Sequence, residues 1–209
     1  MINRTSVDDI VFLFIDLQEG IVNVGATNDA QHLRRRIAAL SDLALSFGIP
    51  VIVTSVPTTS GAVAPLLAEI TQRLPEVTVL VRTTADAMDD AAFRTSLEAS
   101  GRKTLIIAGV ATEVAVRLAA LSAVAAGYHV AIAVDGCGGL DPRTESATFV
   151  HLSNADVELS AVATIAALLA GDFTSDLGRA AMRALQSTLT LHTHHDEHEH
   201  EHEHEHEHV

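Results

Sequence analysis

The sequence predicts an α/β protein, a three-layer sandwich whose mostly parallel sheet of about six strands is covered by helices on both faces. Short runs rich in Val, Ile and Leu alternate with stretches of helical periodicity between residues 10 and 170. Such alternation calls for crossovers between parallel strands rather than for hairpins. The apolar share of 48% is aliphatic, with aromatics at 3% and no tryptophan, as expected for strands buried on both faces. At 209 residues the chain can bury one substantial core, so one domain is expected.

Residues 10–16 (IVFLFID) form a β-rich run ended by an acid, and residues 31–47 follow with helical spacing through Leu33, Ile37, Leu40, Leu43 and Leu45. Strand 50–54 precedes a helix at 64–74, strand 78–81 one at 90–100, and strand 104–108 one at 113–126. Two further pairs are strand 129–134 with helix 144–153 and strand 156–159 with helix 161–170, before a last helix at 175–185. The helix at 113–126 carries Val114, Val116, Leu118, Leu121 and Val124 all round its axis. A helix apolar on every side is buried; one sheet face accounts for only part of that, so a homo-oligomer is expected.

The domain is expected to span residues 1–187, leaving a low-complexity tail at 188–209 in which histidine alternates with glutamate. With little to bury, such a tail is expected to be disordered, and its imidazoles and carboxylates chelate Ni, Zn or Cu adventitiously without defining one geometry. A purification tag or a solvated appendage explains it as well as a metal-handling function does. The formal charge of -14 falls to -7 once the seven acids from Asp196 onward are set aside. An acidic body argues against nucleic acid as a partner. The lone Cys137 forms no intramolecular disulfide, and neither a signal peptide nor a membrane span is read, so a cytoplasmic protein without membrane contact is expected.

Ligands of parallel sheets bind beyond the carboxyl ends of the strands, which directs attention to Asp16, Thr54, Arg82, the stretch from Gly109 to Ala115 and that from Asp135 to Gly139. Three segments there, FLFIDLQEG (12–20), LVRTTADAMDDAAF (80–93) and LIIAGVATEVAVRLAALSAVAAGYHVAIAVDG (105–136), resemble the YcaC-like branch of the isochorismatase-like cysteine hydrolases. The resemblance covers about residues 8–185.

The resemblance implies a small-molecule, amide-like substrate attacked by a cysteine, with an Asp as proton shuttle and a Lys or Arg completing the triad. By motif position these are Ala115, Asp16 and Arg82. It also implies a cis peptide at Val110-Ala111, an oxyanion hole made by the backbone N–H groups of Ala111 and residue 115, a pocket involving Thr54, Val110 and Thr112, and assembly into rings or larger oligomers, an octamer among them. A thiolate in the first turn of a helix beside a cation is nucleophilic at neutral pH. Ala115 has no thiol. Three readings are open: an engineered Cys-to-Ala variant, a natural hydrolase that works through Asp16 alone, and a noncatalytic oligomeric binding protein.

Cys137 lies in a Gly-flanked segment expected to be a turn, and is read as a small hydrophobe rather than a relocated nucleophile. Glu113 is read as structural, near the helix start. Arg82 has a competing reading as a surface ion-pair residue. His129 and His151 lack ligand spacing with Asp16, so no active-site metal and no cofactor are expected.

Overall fold

The computed structural model describes residues 5–189. Six parallel strands, β1 (Ile10–Ile15), β2 (Val51–Ser55), β3 (Val79–Val81), β4 (Thr104–Val110), β5 (His129–Gly138) and β6 (Val157–Ser160), lie in the order β3-β2-β1-β4-β5-β6. The helices are α1 (Ala30–Phe47), α2 (Ala68–Thr71), α3 (Ala91–Ala99), α4 (Arg117–Ala125), α5 (Pro142–Asn154), α6 (Val162–Ala170) and α7 (Asp176–Leu189). Asp29, Asp90 and Asp141 cap α1, α3 and α5 through their carboxylates, each satisfying backbone donors that a helix start leaves open.

Alternating side chains of the central strands divide the core in two. Phe12, Phe14, Val53 and Ile106 pack with Leu33, Ile37, Ile165 and Ala181 of α1, α6 and α7. Val11, Leu13, Ile15, Leu105 and Ile107 pack on the other face with Phe93, Leu97, Ala119, Ala123 and Leu152 of α3, α4 and α5. The chain leaves β1 toward one side of the sheet and β4 toward the other, so the crossovers diverge at the carboxyl ends of these neighbours. A crevice opens at such a switch point.

Several expectations are corrected. The helix expected at 64–74 is only α2, because the buried Gln18 side chain holds the preceding stretch extended. Its amide donates to the carbonyls of Val56 (3.1 Å) and Ala64 (3.0 Å) and accepts from the Val56 N–H at 2.8 Å. Strand β5 runs on through Gly138 after a register shift against β4, so Cys137 is a strand residue and not part of a turn. The helix expected from residue 113 starts with a π-turn over Thr112–Val116 before α4 begins. Within α4 the small side chains of Ala119, Ala120 and Ala123 face the core, while Leu118, Leu121 and Val124 are only half-buried. Alanines on the inner face let the helix lie close to the sheet.

Helix α7 reaches Leu189, past residue 188, where the tail was expected to begin. The remainder of the His/Glu stretch, expected to be disordered and to hold adventitious metal, lies outside the described residues. Among the described residues no helix is long and apolar enough to cross a membrane.

Candidate active site

Asp16 leaves β1 with φ +54°, in the left-handed region that aspartate enters more readily than most residues. Its N–H donates to the Thr54 carbonyl at 3.1 Å, which fixes the residue over the end of β2. One carboxylate oxygen accepts from the Thr54 hydroxyl at 3.1 Å and the other from the Arg82 guanidinium. Arg82 follows β3, donates its backbone N–H to the Ser55 carbonyl at 2.9 Å, and gives a second guanidinium nitrogen to the carbonyls of Thr84 and Ala85. Asp16 is 5% and Arg82 2% exposed, so Arg82 is not a surface ion-pair residue. Its Nε is buried with no hydrogen-bond partner among the described residues.

Burial raises the Asp16 carboxyl above the ordinary aspartate range, outweighing the opposing pull of Arg82 and the Thr54 hydroxyl. Its protonated form therefore persists to higher pH than that of a solvated aspartate.

Strand β4 ends at Val110, which is buried, and the Val110-Ala111 peptide is cis. The π-turn then buries Thr112, Ala115 and Val116. Ala115, 5% exposed, shares its apolar surroundings with Ile15, Ala87 and Cys137. Asp16, Thr54 and Arg82 are thus brought together by direct hydrogen bonds, and Ala115 lies in the cluster that contains Ile15, the residue before Asp16. The Thr112 hydroxyl donates to Glu145 at 2.7 Å.

Glu113 accepts from the N–H groups of Leu140 and Asp141 and from the Thr144 hydroxyl, at 2.9, 3.3 and 2.7 Å. Burial alone would raise its carboxyl, but these donors hold it below the usual glutamate range. Cys137 is buried, and burial pushes its thiol up to about 12, against the opposing Gly109 N–H and with help from the charges of Glu145 and Asp135. A thiol held protonated at neutral pH is a poor nucleophile.

His129 opens β5 at the amino edge of the sheet, opposite the edge where Asp16 sits, and His151 belongs to α5. Thr104, His129, Asp156 and Glu158 help line a cavity of about 400 Å³ at that amino edge. It lies away from the strand ends where parallel sheets carry their chemistry.

Sequence reasoning missed the supporting residues. Glu145 grips Thr112, and Asn28 donates to the carbonyls of Asp135 and Cys137 at 3.1 and 2.8 Å. Asp86 accepts from the Ser122 hydroxyl of α4 at 2.5 Å. Glu145 carried one signal, an acid in the first turn after a Pro-initiated helix start, but nothing in the sequence named its partner.

A sequence model of the isochorismatase domain matches residues 11–164. The chain is 31% identical over 175 residues to the probable hydrolase YcaC of Escherichia coli K12, covering 83% of this chain and 84% of that protein. The crystal structure of Escherichia coli YcaC, an octameric hydrolase of unknown specificity, superposes with a TM-score of 0.82 at 28% identity, covering 89% of this chain and 91% of that one. YcaC from Pseudomonas aeruginosa, bearing hexane-2,5-diol and covalent acrylamide, gives a TM-score of 0.82 at 27% identity, with coverages of 89% and 92%. With the isochorismatase domain matched over most of this chain and the fold shared with the YcaC hydrolases, the chain belongs to the isochorismatase family, on its YcaC-like branch.

Proposed function

We propose that this chain is a hydrolase scaffold for a small amide-like C–N substrate in which the nucleophile position is occupied by Ala115. The observation that carries the reading is the buried Asp16, Thr54 and Arg82 cluster at the same edge of the sheet as the 112–116 turn, which holds a methyl group at residue 115. In this reading a thiol at residue 115 gives its proton to Asp16 and attacks the carbonyl carbon, the N–H groups of Ala111 and residue 115 bind the oxyanion, Asp16 passes that proton to the leaving amine as the C–N bond breaks, and water then hydrolyses the thioester. Val110 forms the pocket wall, and Thr54 holds the Asp16 carboxylate. Ala115 leaves the backbone donors in place and removes only the attacking atom.

The test sets this chain beside Ala115→Cys on a panel of small amides. Turnover by Ala115→Cys alone supports the reading; turnover by neither counts against it and favours a noncatalytic binding protein. In a second reading the Asp16 carboxyl, held by the Thr54 hydroxyl and Arg82 and raised by burial, does the acid–base work without a thiol. Turnover by both chains, abolished by Asp16→Asn, supports that reading.

The octameric state of Escherichia coli YcaC and the exposed Val114, Leu140 and Val150 support a homo-oligomer here. Light scattering is expected to give a multiple of the 22.1 kDa chain mass, eightfold if the relative's assembly is shared; a monomer contradicts it. The tail, with nine histidines between His192 and His208, supports adventitious binding of Ni, Zn or Cu. Titration of Ni into the full chain and into a version with these histidines replaced by Ala tests it. Unchanged stoichiometry contradicts it.

A further inference from the structure

We infer that Glu145 is a positioning residue for the turn that carries position 115, acting through the hydroxyl of Thr112. The inference rests on the hydrolase-scaffold reading for its meaning but not for its test. Thr112 opens the π-turn over Thr112–Val116 and is fully buried. Its hydroxyl donates to a Glu145 oxygen at 2.7 Å, so the first turn of α5 grips the first residue of the π-turn. The neighbouring Glu113 reaches the other way and binds the N–H groups of Leu140 and Asp141 and the Thr144 hydroxyl. Two carboxylates from the two elements thus cross between the 112–116 turn and the start of α5.

Gly139 is the residue around which they cross. A Cβ there would lie 2.8 Å from the Glu145 Cβ, 2.9 Å from its carboxyl carbon and 3.0 Å from a Glu113 oxygen. The absence of a side chain is what lets both carboxylates close on the turn. Gly139 is itself held from behind, its N–H donating to the Thr27 hydroxyl at 2.7 Å. The segment after β1, the end of β5 and the turn after β4 are therefore one hydrogen-bonded unit, and the direction of the residue 115 side chain is set by its anchorage at Thr112. An anchor of this kind governs the reactivity of the group it aims.

The test uses the thiol of Ala115→Cys as reporter and acrylamide as probe, following the alkylation rate against pH by intact mass. The thiolate adds to the β-carbon of acrylamide and the α-carbon takes a proton from water, so nothing is oxidised. The parent chain, whose Cys137 is buried, supplies the background. In the Ala115→Cys background, Glu145→Ala and Thr112→Val are each expected to slow alkylation on the order of tenfold and to move its pH midpoint up toward that of a free thiol, about 8.5. The double variant is expected to be no slower than either single, because both remove the same bond. Glu145→Gln, which keeps an acceptor for the Thr112 hydroxyl, is expected to retain the rate. Equal rates and midpoints in Glu145→Ala and its background, with thermal melts confirming a folded chain, overturn the inference. So does additive slowing in the double variant. Amide turnover is not the readout, so failure of the hydrolase reading appears in the amide panel and leaves this comparison decisive.

Discussion

At the scale of single residues, the buried pair of Asp16 and Arg82 decides most of the energetics. Both side chains are nearly inaccessible and they pair with one another. Removing one partner of such a pair strands a charge in a medium that solvates it poorly. Arg82→Met is therefore expected to lower unfolding stability by about 3–5 kcal/mol. The double variant Asp16→Asn, Arg82→Met should lose less than the sum of the singles, as read by denaturant titration; additive losses would mean that the two groups do not act as a pair. Glu113 titrates with the opposite sign to Asp16. Its lowered carboxyl contributes stability that is present above the ordinary glutamate value and lost as the pH falls through the folded one, whereas the raised Asp16 favours the folded state most at low pH and loses that contribution as the pH rises. Glu113→Gln should therefore melt below the parent at pH 7, with the gap closing as the pH falls below about 4. A gap independent of pH would contradict the role given to its charge.

At the scale of elements, the close approach of β4 to β1 depends on Gly109. A Cβ there would stand 2.3 Å from the Ile15 carbonyl oxygen and 2.7 Å from the Ile15 Cβ, both in the core of the sheet rather than at a flexible tip. Gly109→Ala is expected to cost about 2 kcal/mol or more, measured by thermal or denaturant unfolding; a neutral substitution would contradict the tight packing of these strand ends. The central strands β1 and β4 were legible because their apolar runs are continuous, as strands buried on both faces require. Helix α2 was not, since its stretch is held extended by Gln18, a partner forty-odd residues away in the chain that no local period reveals. The π-turn escaped for a related reason: Thr112 to Val116 read as ordinary helix, and only their anchorage to α5 sets them apart.

At the scale of the whole molecule, the strand order puts its switch point between β1 and β4, and the residues singled out by motif position lie at the carboxyl edge of that sheet. Their neighbourhood was legible from order along the chain, since each follows a strand. Their support was not, because Thr54 on Asp16, Glu145 on Thr112 and Asn28 on the end of β5 are contacts between segments that the sequence does not pair. The exposed apolar residues Val114 and Leu140 lie in and beside the same turn, so the homo-oligomer proposed above would bury surface next to the candidate site. Under the function proposed above, what this arrangement lacks for acyl transfer is one sulfur atom. The most direct measurement is the intact mass of Ala115→Cys after brief incubation with a small primary amide and acid quenching, alongside release of ammonia. The expected result is a thioester-bound acyl group on Ala115→Cys, ammonia released with turnover, and neither product from the parent chain. A folded Ala115→Cys that acquires no acyl group and releases no ammonia across the amide panel would contradict the claim that the rest of the hydrolase site is intact.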